Sequence, residues 1–189
     1  MCIDNNFFSK RRSVMAKKMS SDPINKDDLN SILQAGIRVP DHGTLNPWKL
    51  NVIQGDALKK IDEEIILSEF IKNKPKSEKS AQDIESRRLQ RAGVVIAVLS
   101  TPIDHPTIPL WEMQLSSGAV CMNLLSSAQS KGYAAQWLTE WYAYNDKMLN
   151  YLGGDVSKDK ISGFIYIGHK LEEPNERKRP NPYDVVTFL

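Results

Sequence analysis

The sequence has little of the material from which metal centres and disulfide-bonded folds are built. It contains two cysteines, Cys2 and Cys121, and three histidines among 189 residues. Two cysteines without a CxxC pair cannot form a disulfide framework, and a reducing cytoplasm is the simplest compartment for such a chain. The histidines form neither an HxH nor an HExxH pattern, so we expect no metal site.

Long apolar runs and an excess of one charge are also missing. The longest strongly apolar run, residues 94–99, is far shorter than the ~20 residues of a membrane-spanning helix. Lys and Arg total 25 and Asp and Glu total 23, which gives a formal charge of +2. Residues 1–12 lack the continuous apolar core of a signal peptide. We therefore expect a cytoplasmic protein with no membrane segment and no nucleic-acid partner.

The remaining composition is that of an ordinary globular protein, with 41% apolar and 25% charged residues. A chain of this length buries about 70% of the surface that it exposes when unfolded, so it can form one sizeable core. The sequence shows no internal repeat and no low-complexity linker. These features favour one domain over residues 1–189.

The pattern of apolar residues predicts alternating helices and strands. Asn25 is a helix cap, and the helix that follows it ends by Gly36. Residues 93–100 form a continuous β-branched run, typical of a central strand that is buried on both faces. The other predicted elements are strands near 50–53, 134–139 and 161–167, amphipathic or apolar helices over 57–70 and 111–131, and a charged, solvated helix over 80–92.

The predicted helix over 111–131 is apolar nearly all round. One face carries Leu115, Ala119, Met122, Leu125 and Ala128, and Val120, Cys121 and Leu124 lie off it. Such a helix belongs either to a deep core or to a subunit interface. Farther along, a polar, Pro-rich arm at 172–182 leads to apolar residues 185–189, and arms of this kind often reach over another surface.

The sequence contains no self-contained nucleophile or phosphate-loop motif. It has no GxSxG and no GxGxxG sequence. Gly163, Gly168 and Lys170 resemble a phosphate loop only superficially, because the residues between the two glycines have the pattern of a strand. Candidate binding residues therefore have to be sought in other segments.

Two segments combine residue types that bind anions. Residues 11–13, Arg-Arg-Ser, bring together two guanidinium groups and a hydroxyl, which can hold a phosphate bidentately. The alternative for this short basic cluster is a solvated face. Arg38 and His42 stand with other polar residues in a loop between a predicted helix and strand, where binding residues are common. The alternative there is a capped helix end and a turn, with Trp48 in the core.

A third segment, residues 136–141, ends a predicted strand and is rich in tryptophan. A strand end of this composition can form the wall of a site for a flat ligand. Its tryptophans can equally belong to the core, so both interpretations stay open from composition alone.

The order of these segments resembles that of the FMN-dependent nitroreductase family, in its short single-domain branch. The resemblance runs nearly from end to end and rests on four motifs in order rather than on any one of them. The motifs are Arg11-Arg12-Ser13, Arg38-x-Pro-Asp-His42 with Pro47-Trp48, Trp111-Glu112 with Ser116 and Gly118, and Gly163-Phe164-x-Tyr166-x-Gly168.

The resemblance implies an α+β fold with a central, mainly antiparallel sheet flanked by helices. Members of the family are intertwined homodimers with two FMN molecules at the interface. Their long central helix packs between subunits, and their C-terminal strand joins the partner's sheet. The apolar helix over 111–131 and the arm that ends at 185–189 fit these roles.

The resemblance also implies a set of cofactor-binding residues. Arg11, Arg12 and Ser13 would hold FMN from one chain, and Arg38 and His42 would reach the same FMN from the other. The isoalloxazine would be lined by Trp137, Leu138 and Thr139, with the backbone N–H of Thr139 facing flavin N5.

The implied activity is that of an NAD(P)H oxidoreductase whose chemistry belongs to the flavin. NAD(P)H gives a hydride to flavin N5, and a small-molecule acceptor such as a nitroaromatic or a quinone takes it. No catalytic residue from the protein is essential. Two alternatives remain: a flavin-binding protein with little turnover, and a same-fold flavin enzyme with another acceptor, as in dehalogenation or flavin breakdown.

The chain departs from the family pattern at several positions. Met15 stands where many members carry a basic residue near flavin N1 and O2. Glu140 replaces a usual glycine, and we expect it to make the acceptor pocket narrower and more acidic. Leu138 replaces the arginine of the branch's Trp-Arg-Ser sequence. The basic residues Arg177, Lys178 and Arg179 either compensate for that lost charge or are solvated, and we expect the solvated arrangement.

Overall fold

The computed structural model describes residues 5–189, so Cys2 lies outside the described residues. Residues Asp62–Leu67 form a π-helical segment. Short 3₁₀ turns occur at Ala16–Lys18, His42–Thr44, Leu89–Arg91 and Trp141–Tyr144. The α-helices are α1 (Asn5–Lys10), α2 (Lys26–Gly36), α3 (Asp56–Ile61), α4 (Ser68–Asn73), α5 (Lys79–Glu85), α6 (Leu110–Ser130), α7 (Asp146–Tyr151) and α8 (Pro182–Val185). The strands are β1 (Trp48–Gln54), β2 (Val94–Ser100), β3 (Ala134–Leu138) and β4 (Lys160–Gly168).

The strands form a four-stranded sheet in the order β1-β2-β4-β3. Every neighbouring pair is antiparallel. All seven residues of β2 are buried, as the β-branched run of this segment predicts. An antiparallel sheet flanked by helices confirms the α+β architecture.

Two hydrophobic cores lie on opposite faces of this sheet. Successive residues of a strand point to opposite faces, so β2 contributes to both cores. Val94, Ile96 and Val98 face a core that α2 and α6 help to build. Val95 and Leu99 face the second core, which includes residues of the helical segment 56–73. The central position of β2 thus ties the two layers together.

The start of α2 follows from its local sequence. The Asn25 side chain accepts the backbone N–H groups of Asp27 at 2.8 Å and Asp28 at 3.1 Å. These are donors that a helix leaves unpaired in its first turn. The predicted cap is confirmed. α2 ends at Gly36, where a Cβ atom would lie 2.3 Å from a methyl group of Leu124, so only glycine allows α2 and α6 to approach this closely.

The predicted solvated helix over 80–92 is wrong in its second half. α5 ends at Glu85, and the chain then makes a 3₁₀ turn in which Leu89 is fully buried. The buried carboxylate of Asp62 accepts the backbone N–H groups of Leu89 and Gln90. These contacts with Asp62 take the place of further helical hydrogen bonds, so the helix does not continue to residue 92. The charge pattern of the segment does not predict the contacts.

The apolar residues of α6 divide between a buried side and an exposed side. On the predicted apolar face, Leu115 and Met122 are exposed, whereas Leu125 and Ala128 are buried. α6 therefore packs one side on the sheet and keeps an exposed apolar face at Trp111, Leu115 and Met122. The buried residues are Met113, Ser116, Ser117, Val120, Cys121, Leu124, Leu125 and Ala128.

The C-terminal residues extend away from the core. Tyr183, Val185 and Phe188 are exposed, and residues 186–189 belong to no strand of the described chain. The predicted exchange of a C-terminal strand between subunits therefore stays a prediction. No helix among residues 5–189 is both long and apolar enough to cross a membrane.

Candidate functional site

The basic segment at residues 11–13 is held against the edge strand β3. Val14 donates its backbone N–H to the carbonyl of Ala135 at 3.2 Å. The Gln129 side chain donates to the Arg12 carbonyl at 2.6 Å, and Ala16 donates its N–H to the side-chain oxygen of Gln136 at 2.5 Å. Two predicted binding segments, the Arg-Arg-Ser motif and the tryptophan-rich strand end, are therefore neighbours in the fold.

Arg11 is the unusual cation of this region. Its Nη1 atom is buried and has no hydrogen-bond partner among the described residues. Burial, followed by the nearby charges of Arg179 and Arg12, lowers the pKa of Arg11. A buried guanidinium nitrogen without an acceptor, beside two further cations, is an arrangement that an anionic ligand would stabilise.

The C-terminal arm crosses the same region. Arg12 donates from Nε and Nη2 to the Asn175 carbonyl at 3.1 and 2.7 Å. Arg179 donates to the Arg11 carbonyl at 3.5 Å and to Glu176 at 3.1 Å. The Arg179 side chain stays about half exposed (52%), as expected for a solvated residue, but the arm brings it back to the Arg-Arg-Ser motif.

A cavity of about 260 Å³ lies beside this cluster. Met15 lines it, so the family departure at this position does face the site. Lys18 was not predicted as a lining residue, because a basic residue near a motif is common on solvated surfaces. Arg177 belongs to the basic cluster that was expected to be solvated, yet it lines the cavity. The cavity is lined by Arg12, Ser13, Met15, Lys18, Gln136, Pro174, Asn175 and Arg177.

Trp137 occupies a space that two glycines leave open. A Cβ atom on Gly163 would lie 2.0 Å from Trp137 Nε1, and one on Gly118 would lie 3.9 Å from Trp137 Cη2. The indole donates from Nε1 to the Ser162 carbonyl at 3.0 Å, and the side chain remains partly exposed. Two family motifs thus supply the glycines that border one aromatic ring, and this ring is partly exposed rather than enclosed in the core.

The side chains that follow Trp137 point in different directions. Leu138 packs against the core on the far face of the sheet, whereas Thr139 is exposed. The Glu140 carboxylate makes ion pairs with Arg91 at 3.2 Å and Arg88 at 3.3 Å. The expectation that Glu140 makes the acceptor pocket more acidic is wrong, because two guanidinium groups hold and neutralise this carboxylate.

Arg38 and His42 lie elsewhere on the same chain. Both are exposed, and neither lines the cavity beside Arg12. The His42 ring contacts the Glu112 carboxylate through Nδ1 at 2.7 Å. Ser116 donates to the Pro40 carbonyl at 2.8 Å, which fixes this loop to the first turns of α6. Within one chain the predicted binding set therefore forms two separate groups.

Comparison with known proteins assigns these features to a family. The model of the nitroreductase family matches residues 8–169. The chain belongs to the nitroreductase family. A relative from Haemophilus influenzae, named "Putative NAD(P)H nitroreductase", is 30% identical over 178 residues, which are 92% of this chain and 93% of that protein.

A second relative agrees with this assignment, and two solved structures share the fold. "Putative NAD(P)H nitroreductase YdjA" of Escherichia coli is 27% identical over 95% of both chains. A nitroreductase-like protein from Bacillus cereus superposes with a TM-score of 0.83 at 21% identity, over 100% of this chain and 98% of that chain. A nitroreductase with bound FMN from Bacteroides fragilis gives a TM-score of 0.70 at 20% identity, over 98% and 97%. The two structures support the nitroreductase-like fold.

The described part of the chain contains no cluster of side chains of the kind that ligates metals. No group of three or more His, Cys, Asp or Glu side chains there is arranged to hold a metal ion.

The close packing of Trp137 against Gly163 predicts that substitutions at these two positions are not additive in their effect on stability. Gly163→Ala should force the indole out of its place and destabilise the protein by about 1–3 kcal/mol, because the added methyl overpacks the site. In a Trp137→Ala background the same Gly163→Ala change should cost little, since the colliding ring is gone. Chemical denaturation of the four proteins gives the interaction energy, and equal costs in both backgrounds would refute the fit.

Proposed function

We propose that the protein is an FMN-dependent NAD(P)H oxidoreductase of the nitroreductase family. The observation that carries the proposal is the buried, partnerless Nη1 atom of Arg11, set beside Arg12 and Arg179 and next to the strand that bears Trp137. This arrangement suits a ligand with an anionic end and a flat end. FMN has both, and nothing in the chain suggests a site for the adenylate of FAD. The names of the relatives, NAD(P)H nitroreductases, agree with this proposal.

Each group of residues has a role in holding FMN. Arg11, Arg12 and Ser13 would bind the phosphate through guanidinium and hydroxyl donors. Trp137 and Thr139 would border the isoalloxazine, whereas the Leu138 side chain, which the sequence also predicted there, packs against the core on the far face of the sheet. Arg177 lines the cavity beside Met15 and would supply positive charge there, whereas the Lys18 ammonium at the same cavity is paired with Glu172.

Bound FMN would supply the redox chemistry, accepting a hydride from NAD(P)H and passing it to a nitroaromatic, quinone or similar acceptor. The protein's part is to bind and orient. Because Arg88 and Arg91 pair with Glu140, no unpaired carboxylate at that position repels an anionic acceptor. No side chain of this set has to act as an acid, a base or a nucleophile.

We further propose that the active form is a homodimer. Arg38 and His42 lie apart from the Arg12 cavity in one chain, so they can reach FMN only if a second chain places them there. α6 offers a surface for that contact through the exposed apolar residues Trp111, Leu115 and Met122. Such residues are unusual on a monomer surface when they follow one helix face.

FMN binding tests the phosphate role of Arg11. Arg11→Ala should weaken FMN binding by about tenfold or more, because it removes a charge-assisted hydrogen bond. Quenching of FMN fluorescence during titration into the apoprotein measures the Kd. The control is Arg87→Ala, which removes an exposed arginine outside the cavity and should leave the Kd unchanged.

A colourless wild-type protein that cannot be reconstituted with FMN would overturn the proposed function. A protein that binds FMN but does not consume NADH or NADPH with a nitroaromatic would instead be the flavin-binding protein with little turnover. If NADH or NADPH is consumed although neither a nitroaromatic nor a quinone acts as acceptor, the protein would be a flavin enzyme of the same fold with another acceptor.

The shared site makes a separate prediction about mixed dimers. Arg11→Ala and Arg38→Ala homodimers should both lose FMN. After the two variants are refolded together, one site of each mixed dimer carries both substitutions, and the other combines an intact Arg11 with an intact Arg38. Flavin binding measured after co-refolding should therefore recover in part. If both arginines serve the same FMN from one chain, every site stays damaged and no recovery occurs.

A further inference from the structure

Three consecutive residues after Thr139 are each held by a polar side-chain contact. Glu140 pairs with Arg91 and Arg88. The Trp141 indole donates to Glu85 at 3.0 Å. The hydroxyl of Tyr142 lies 2.6 Å from that of Tyr166 in β4. Such a dense set of anchors is unusual for a segment between a strand and a short turn.

Four of these side chains form one ionic clamp, which we define as Glu85, Arg88, Arg91 and Glu140. Arg88 makes a two-point contact with Glu85, at 3.0 Å from Nε and 2.5 Å from Nη2, and it also reaches Glu140. The two carboxylates and two guanidinium groups balance in charge. Their side chains are only 6% to 25% exposed, so solvent weakens these contacts less than it weakens surface ion pairs.

The clamp also reaches the interior of the sheet. Arg91 donates to the Tyr166 hydroxyl at 3.3 Å, and its guanidinium carbon lies 5.1 Å from the centre of the Tyr166 ring. Burial opposes the charge of Arg91, but Tyr166 and Glu140 raise the pKa of Arg91 above its usual value. The guanidinium is therefore a fixed cation that connects Glu140 to a fully buried residue of β4.

Thr139 lies between two fixed points. On one side, Leu138 is paired with Phe164 at the end of β3. On the other side, Glu140 is held by the clamp. With both neighbours fixed, the peptide group of Thr139 has little freedom to rotate, although the residue itself is exposed. With glycine at position 140, this peptide group would be restrained only by the pairing of Leu138, because no side chain would hold the residue that follows Thr139.

We infer that Glu140 is a positioning residue that, through the clamp, fixes the direction of the Thr139 backbone N–H toward the flavin. This inference rests on the proposed function and on the family resemblance, which implies that this N–H faces flavin N5. Without the clamp, the Thr139 N–H should be less firmly oriented at the flavin ring, while the Arg-Arg-Ser motif should still bind the phosphate. The result is a protein that binds FMN but reduces it more slowly.

Hydrogen exchange of the apoprotein tests the mechanical half of the inference. Glu140→Gln keeps the shape of the side chain and removes its charge. Losing a charge-assisted contact worth about 1.4 kcal/mol or more should speed exchange in a peptide over 137–141 by about tenfold or more. The control is Glu69→Gln: Glu69 is similarly shielded, and its partners Lys147 and Asn145 both lie beyond residues 137–141, so it should leave this peptide unchanged.

The FMN-loaded protein tests the functional half. Glu140→Gln should leave the FMN Kd nearly unchanged, shift the visible flavin spectrum, and slow flavin reduction by NAD(P)H in stopped-flow measurements, whereas Glu69→Gln should change none of the three. If Glu140→Gln does not fold, Arg88→Gln loosens the same clamp from α5 and should give the same pattern.

Two results would overturn the inference. One is unchanged exchange over 137–141 despite a lower melting temperature, which would make the clamp a structural element only. The other is faster exchange with an unaltered flavin spectrum and reduction rate. Failure of the wild-type protein to bind FMN would reject the proposed function instead, and the exchange measurement distinguishes the two cases because it needs no flavin.

Discussion

The docking of residues 12–16 along β3 is the contact on which the candidate site depends. A backbone hydrogen bond from Val14 to Ala135 and side-chain bonds from Gln129 and to Gln136 hold the basic motif against the strand that bears Trp137. Without this docking, the cations and the aromatic wall would be separate features of the surface. With it, the buried Nη1 atom of Arg11 and the small cavity lined by Arg12 and Ser13 lie next to the strand that bears Trp137.

This docking is possible because the sheet leaves β3 at an edge. β2 and β4 occupy the centre, where both neighbours are already paired, and β3 has one free side. α6 packs over the same region and supplies Gln129 and the space at Gly118. Its other face, with Trp111, Leu115 and Met122, is apolar and exposed, which connects the position of the site to the proposed second chain.

The sequence predicted the architecture better than the directions of its side chains. The cap at Asn25 and the β-branched run at 94–100 identified their elements because the causes are local. The side of α6 that meets the sheet was not predicted, since a helix that is apolar nearly all round carries too weak a periodic signal to show it. The break after Glu85 depends on Asp62, a residue more than twenty positions away that no local pattern connects to it.

The candidate site shows the same division. The Arg-Arg-Ser motif and the Trp137 strand were identified from residue types in order. The orientation of Glu140 was not, because its partners Arg88 and Arg91 lie in a segment whose charges looked like a solvated face. The position of Arg179 could not be predicted for a similar reason: only the path of the C-terminal arm brings it to Arg11. Long-range ion pairs of this kind leave no periodic trace in a sequence.

Anaerobic titration of the purified, FMN-loaded protein with NADH and with NADPH tests the central claim most directly. The account predicts that at least one of the two nucleotides bleaches the flavin's blue absorption band stoichiometrically, and that a nitroaromatic or a quinone then restores it. The contradicting result is a band that neither nucleotide changes although dithionite bleaches it, which would leave a flavin-binding protein without the proposed oxidoreductase activity.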